Sequence, residues 1–221
     1  MQADTVDGST FKVRRIYCVG RNYVAHIHEM KEGDERDPPF FFQKPPNALV
    51  RDHGTVPYPP LTEDLQYEVE LVVAIGKGGR NIALSDALEH VFGYAVGLDM
   101  TRRDRQREAG RKGLPWEIGK SFDYSAPCGA ICPAAKVGHP ATGAIRLLVD
   151  GRLRQDSDIS LMIWKTPEII ANLSRQYELQ PGDLIFTGTP AGVGAVVPGE
   201  RLEAQVGTLP VLTVEIGPLR A

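Results

Sequence analysis

Two groups of residues have the types and spacing to do chemistry. In "RNYVAHIHEM", Asn22 to Met30 has a helical look and sets His26 three residues before Glu29, which puts an imidazole and a carboxylate on one helical face. Such a pair is either a base with its orienting partner or a polar surface turn, and His28 adds a second imidazole beside the first. In "YEVELVVAIG", alternate side chains of a strand share a face, so Glu68 and Glu70 point one way and Val69, Leu71 and Val73 the other. The two carboxylates then lie about 7 Å apart along the strand, close enough to share one cation. A solvated edge strand would also carry two glutamates. Here, however, the same face continues as Val72 and Ala74, and paired carboxylates on a face that becomes apolar need a counter-charge.

A third carboxylate, Asp99, ends the apolar run "VFGYAVGLDM", where it serves either as a ligand or as a cap for the segment that follows. Three carboxylates without clustered histidines or thiols describe a hard-oxygen site, suited to Mg²⁺ or Mn²⁺, open to Ca²⁺ and poor for Zn²⁺. The next segment, "TRRDRQREAGRKG", has the composition of a solvent-exposed helix. If Asp99 holds a metal, Arg103 and then Gln106 return to its side of that helix. Lys120, in "GKSFD", is a lone lysine between a glycine and an apolar turn.

The elements that must position these residues are mostly strands. The run at Ile16, "QYEVELVVAIG", "VFGYAVGLDM", "AIRLLVDG", "GDLIFTGTP" and "LPVLTVEIG" all carry strand signals. "TPEIIANLSRQY" predicts a helix with Thr166 at the N-cap and Pro167 in the first turn, and "SDALEHVF" repeats that logic from Ser85. "HEMKEGDERDPP" is charged and proline-ended, so the segment from His26 to Pro39 reads as a lid. With 42% hydrophobic and 24% charged residues, 221 residues suffice for one core. A net charge of -3 offers no field for nucleic acid or an anionic membrane, and no signal peptide or membrane span is visible, so the expected place is the cytosol. Cys18, Cys128 and Cys132 sit in apolar or small-residue surroundings, as buried free thiols do.

Taken in order, "YCVGRNYVAHIHEM", "PPFFFQKP", "YEVELVVAIG", "GYAVGLDMTRRDRQ", "GKSFD" and "PGDLIFTGTPAGVG" resemble the fumarylacetoacetate hydrolase family, over about Arg15 to Gly217. The resemblance is to its single-domain members, above all those acting on fumarylpyruvate in gentisate breakdown. It implies a strand-rich mixed α/β fold with a β-roll around a metal site, made by residues 15–221 behind an arm of residues 1–14. It implies Mg²⁺ or Mn²⁺ on Glu68, Glu70 and Asp99, a water-activating pair in His26 and Glu29, and a keto-acid end held by Arg103, Gln106 and Lys120. Thr189 matches a threonine that contacts the substrate carboxylate. The implied reaction is hydrolysis of a carbon–carbon bond in a 2,4-dioxo acid, with Lys120 acting where negative charge develops, in a homodimer. Acylpyruvate hydrolysis, oxaloacetate decarboxylation and isomerisation of an unsaturated dioate are alternatives on the same machinery, and a metal-dependent binding protein without turnover is another. Arg102 stands where small residues are frequent in the family, and Arg21, Arg36 and Arg111 are candidates for a distal carboxylate.

Overall fold

The structure, a computed structural model, describes residues 1–30 and 37–219. Up to Leu98 its strands are β1 (Gln2–Asp4), β2 (Thr10–Lys12), β3 (Arg15–Gly20), β4 (Phe40–Lys44), β5 (Leu49–Val50), β6 (Gly54–Tyr58), β7 (Leu65–Tyr67), β8 (Val69–Ile75) and β9 (Val91–Leu98). There follow β10 (Thr101–Arg102), β11 (Ala126–Pro127), β12 (Cys132–Pro133), β13 (Ala144–Val149), β14 (Arg152–Asp158), β15 (Asp183–Phe186), β16 (Gly194–Ala195), β17 (Arg201–Val206) and β18 (Leu212–Leu219). The helices are α1 (Val24–Met30), α2 (Arg103–Arg111), α3 (Glu117–Lys120), α4 (Ala134–Val137) and α5 (Thr166–Gln176).

Two sheets carry the fold, which is strand-rich mixed α/β. One has six strands in the order β12-β9-β8-β15-β3-β4, the other five in the order β14-β13-β17-β18-β6. Strand β8 is buried along its whole length, as a strand covered on both faces must be. Val69, Leu71, Val73 and Ile75 enter the core shared with Leu147, Leu202, Val214 and α5, while Val72 and Ala74 enter a second core with Cys18, Leu184 and Phe186. The alternation in "YEVELVVAIG" therefore holds, and Glu70 lies on the Val72 side. The β1–β2 hairpin closes this second core with Ala3, and Val13 just after it. All three cysteines are buried and free.

One feature of the sheets positions everything that follows. "QYEVELVVAIG" is not one strand: it breaks at Glu68, with β7 on one side and β8 on the other. Its neighbours break with it. Strands β9, β8 and β15 lie side by side in the six-stranded sheet, and their continuations β10, β7 and β16 lie in the same order in a separate three-stranded sheet. Val69 pairs with Leu98 before the break and Gln66 with Thr101 after it. Three chains thus leave one sheet together and re-pair in another, and the backbone between them is committed to neither ladder.

Two expected helix starts differ. In "SDALEHVF" only Ala87–His90 forms a single 3₁₀ turn, because Val91 is claimed by β9, where it pairs with Ile75. In α5 the N-cap is Lys165, one residue earlier than expected; Thr166 begins the helix, and Glu168 accepts the Lys165 N–H at 2.8 Å. The lid reading of His26–Pro39 falls in part on residues 31–36, which lie outside the described residues, as does Arg36. No helix among the described residues is long and apolar enough to cross a membrane.

Candidate active site

Glu68, Glu70 and Asp99 meet at the break in the sheets. All three are buried, and each offers an oxygen within 4.8 Å of the others. Asp99 follows the end of β9, and its N–H donates to the Glu68 carbonyl at 2.9 Å, which ties the two broken strands together at the site. Its carboxylate does not cap α2, whose N-cap is Arg102. Glu70 Oε2 accepts the Gly188 N–H at 2.8 Å. Gly188 has φ +96°, and a Cβ there would lie 2.6 Å from that of Asn22, so the turn that delivers this N–H requires glycine.

Three buried cations face the three carboxylates. Lys120 Nζ donates to Glu68 Oε2, Asp99 Oδ2 and Thr101 Oγ1, each at 2.7 Å. Arg103, 1% exposed, binds Glu68 Oε1 through Nη2, Gln106 Oε1 at 2.5 Å and Gln66 Oε1 at 2.8 Å. An arginine can only donate, so Gln106 must turn its oxygen to Arg103 and keep its amide hydrogens for the cleft it lines. Lys44 Nζ lies 2.8 Å from Asp99 Oδ1 and donates to the carbonyls of Met100 and Lys120. Gly119 lets α3 sit against α2, since a Cβ there would lie 2.7 Å from the Gln106 nitrogen; this brings Lys120 inward.

The charges are unevenly compensated. Burial alone would raise the pKa of Glu68, but Lys120 and Arg103 hold it well below the usual carboxylate range. Lys120 loses by burial and gains more from Asp99 and Glu68, so it stays firmly cationic. Glu70 goes the other way: burial, then the charges of Asp99 and Glu68, push it well above the ordinary value. The Gly188 N–H and the Lys120 charge oppose that shift without cancelling it, so the carboxylate calls for further positive charge. The donor set and this local deficit both fit one hard divalent cation bound by oxygens.

His26 and Glu29 lie on α1, which packs through Ile27, with Tyr23 buried just before it. Asn22, fully buried just before it, donates to the Thr187 and Trp164 carbonyls and accepts the Trp164 N–H, fastening α1 to the loop after β15. The His26 ring lines the cleft, with Nδ1 3.3 Å from Glu29 Oε2. Glu29 also accepts the Gly192 N–H at 3.1 Å. His28 is exposed and does not line the cleft, whereas His26 does. Burial lowers the His26 pKa below its ordinary value of 6.5, against the opposing pull of Glu68 and Glu29.

The cleft has a volume of about 320 Å³, at the small end for ligand pockets. Glu68, Glu70, Asp99, His26, Arg103, Gln106, Lys120 and Thr189 all line it, while Glu29 stands behind His26. Of the candidates for a distal carboxylate, Arg21 lines the cleft beside Trp116, with its guanidinium carbon 5.4 Å from the centre of the Phe40 ring; Arg111 does not line it. Arg102 packs on Phe122 at 4.5 Å. Sequence reasoning missed Asn22, Lys44 and Gln66. Only Gln66 had a readable signal, since it precedes Glu68 and Glu70 on the same alternation.

The match to the fumarylacetoacetate (FAA) hydrolase C-terminal family covers residues 15–220, and the chain belongs to that family. Within it, the chain is 48% identical over 179 residues to a fumarylpyruvate hydrolase of Ralstonia sp., covering 81% of this chain and 93% of that one. It is 40% identical over 203 residues to the human mitochondrial oxaloacetate tautomerase FAHD1, covering 92% and 91%. The crystal structure of fumarylpyruvate hydrolase from Pseudomonas aeruginosa in complex with Mn²⁺ and pyruvate superposes with a TM-score of 0.97 at 53% identity, covering 100% of this chain and 96% of that one.

Proposed function

We propose that this chain is a divalent-metal-dependent hydrolase of 2,4-dioxo acids that splits fumarylpyruvate into fumarate and pyruvate. The observation that carries the reading is the buried Glu68–Glu70–Asp99 triad facing a cleft that also holds a His26–Glu29 pair. Glu68, Glu70 and Asp99 would hold Mg²⁺ or Mn²⁺, which would supply Lewis-acid charge to a dioxo acid in the cleft.

The chain's own groups do the rest. Glu29 accepts a hydrogen bond from the His26 Nδ1–H, which leaves Nε2 as the base that removes a proton from water. Water adds to the distal carbonyl, the carbon–carbon bond breaks, and its electron pair remains with pyruvate as an enolate that regains a proton. Lys120 and Arg103 hold fixed positive charge where that negative charge develops, so no reorganisation is needed during the step. The Gln106 amide and the Thr189 hydroxyl serve as donors to the keto-acid end.

A second reading, tautomerisation or decarboxylation of oxaloacetate, is favoured by the likeness to FAHD1. Those reactions need no activated water, so the placement of His26 at the cleft speaks for hydrolysis. Assays of fumarylpyruvate, acetylpyruvate and oxaloacetate, with Mg²⁺, Mn²⁺ and EDTA, separate the two; preference for oxaloacetate would favour the second. We take residues 15–221 as the catalytic domain. We also place the protein in the cytosol as a homodimer, with the β4 edge and its Phe40, Phe41 and Phe42 as the surface offered to a second copy.

A further inference from the structure

Strand β14 lies at the edge of the five-stranded sheet, and its residues are exposed or half-buried with one exception: Gln155 is fully buried. The ladder to β13 slips at this point. Leu147 faces Gln155 and Leu148 faces Leu153, so Arg154 is the extra residue of a bulge, and bulges re-aim the side chains beside them. The loop after β15 is pressed against the bulge, since a Cβ on Gly192 would lie 2.5 Å from the Arg154 carbonyl oxygen.

The Gln155 amide is committed at both ends. Oε1 accepts the N–H of Val69, the residue between Glu68 and Glu70, at 3.0 Å. Nε2 donates to the Pro190 carbonyl and to Thr189 Oγ1, both at 2.9 Å. A peptide N–H only donates and a carbonyl only accepts, so these partners fix which end of the amide is which. Nε2 has only hydrogens to offer, and the Thr189 oxygen is therefore the acceptor in their contact. The hydrogen of that hydroxyl must point elsewhere, and Thr189 lines the cleft.

We infer that Gln155 is a positioning residue that sets the polarity of the Thr189 hydroxyl, making it a donor into the cleft and selecting ligands that present a carboxylate oxygen there. This rests on the reading of the cleft as a keto-acid site. One side chain thereby links the second sheet to both the carboxylate strand and the ligand-facing loop.

The test is a double-mutant cycle on pyruvate affinity, measured by titration calorimetry with the Mn²⁺-loaded full chain. Gln155→Met keeps the volume and removes the amide; Thr189→Val keeps the shape and removes the hydroxyl. Each single change should weaken pyruvate binding roughly tenfold, the scale of a hydrogen bond to a charged group. In the Thr189→Val background, Gln155→Met should then change the affinity less than about twofold, because its effect passes through the missing hydroxyl. Gln155→Met should still lower the melting temperature in the Thr189→Val background, because its bonds to Val69 and Pro190 are lost there too. Independent losses that multiply, a Gln155→Met protein that binds pyruvate like the parent, or a parent that does not bind pyruvate would each overturn the inference. If Gln155→Met does not fold, Gln155→Glu, which keeps an acceptor for Val69, carries the same cycle and the same criterion. Failure of the parent to hydrolyse fumarylpyruvate would refute the functional reading and leave this test standing.

Discussion

Burial shifts the ionisation of Glu70 and His26 in opposite directions, raising the pKa of the carboxyl and lowering that of the imidazole. Glu70, buried beside Asp99 and Glu68, gains most from an added cation. Glu70→Gln keeps the size and removes the charge, so Mn²⁺ affinity measured by calorimetry should fall at least about tenfold, the lower range for disturbing a metal site's supporting groups. Unchanged affinity would remove Glu70 from the site. For His26 the sign is fixed by burial: its pKa lies below 6.5, and the base works only when neutral. Activity should therefore be present at neutral pH and be lost as pH falls through that lowered value. Glu29 opposes the depression, so Glu29→Gln should move the acidic limb of the rate profile to still lower pH. It should also lower kcat roughly tenfold to a hundredfold, part of the 10²–10⁴ that a general base contributes. A limb that moved upward would contradict the proposed tautomer.

The elements explain why some of the site could be read from sequence and some could not. Alternation along β8 and the helical return of Arg103 and Gln106 are local periodicities, and both survived in the structure. The break at Glu68 is not local. It depends on β10 and β16 re-pairing with β7, and β16 lies more than a hundred residues downstream. The same holds for Asn22, Lys44 and Gln155, whose partners are 142 and 165, 55 to 76, and 34 to 86 residues away. The 3₁₀ turn at Ala87–His90 is a case of a strand ladder overriding local helix signals. Gly188 tests the turn that closes the break. Gly188→Ala must hold φ near +96° and push Asn22 away, which should cost about 1–3 kcal/mol of stability. Thermal unfolding should show the loss, with weaker Mn²⁺ binding as the Glu70 N–H partner shifts. A variant with parental stability and affinity would show that the turn does not position Glu70.

At the scale of the molecule, two sheets packed over two cores, and the three strands that leave one of them for a small third sheet, frame a site of three carboxylates and three cations. A cation that binds only the folded arrangement stabilises it by mass action, about 2.7 kcal/mol at a hundred times its dissociation constant. For a chain of this size the melting temperature should rise by roughly 5–10 °C with saturating Mn²⁺ and return with EDTA. No shift would mean that the triad is not a metal site. The central claim, hydrolysis of a dioxo acid by His26 in the metal-loaded cleft, is tested most directly by following fumarate and pyruvate release from fumarylpyruvate for the parent and His26→Ala, both saturated with Mn²⁺. The parent should release both products in equal amounts, and His26→Ala should do so at least about a hundredfold more slowly. Release by His26→Ala at the parental rate, or by a parent exhaustively stripped of metal, would contradict it.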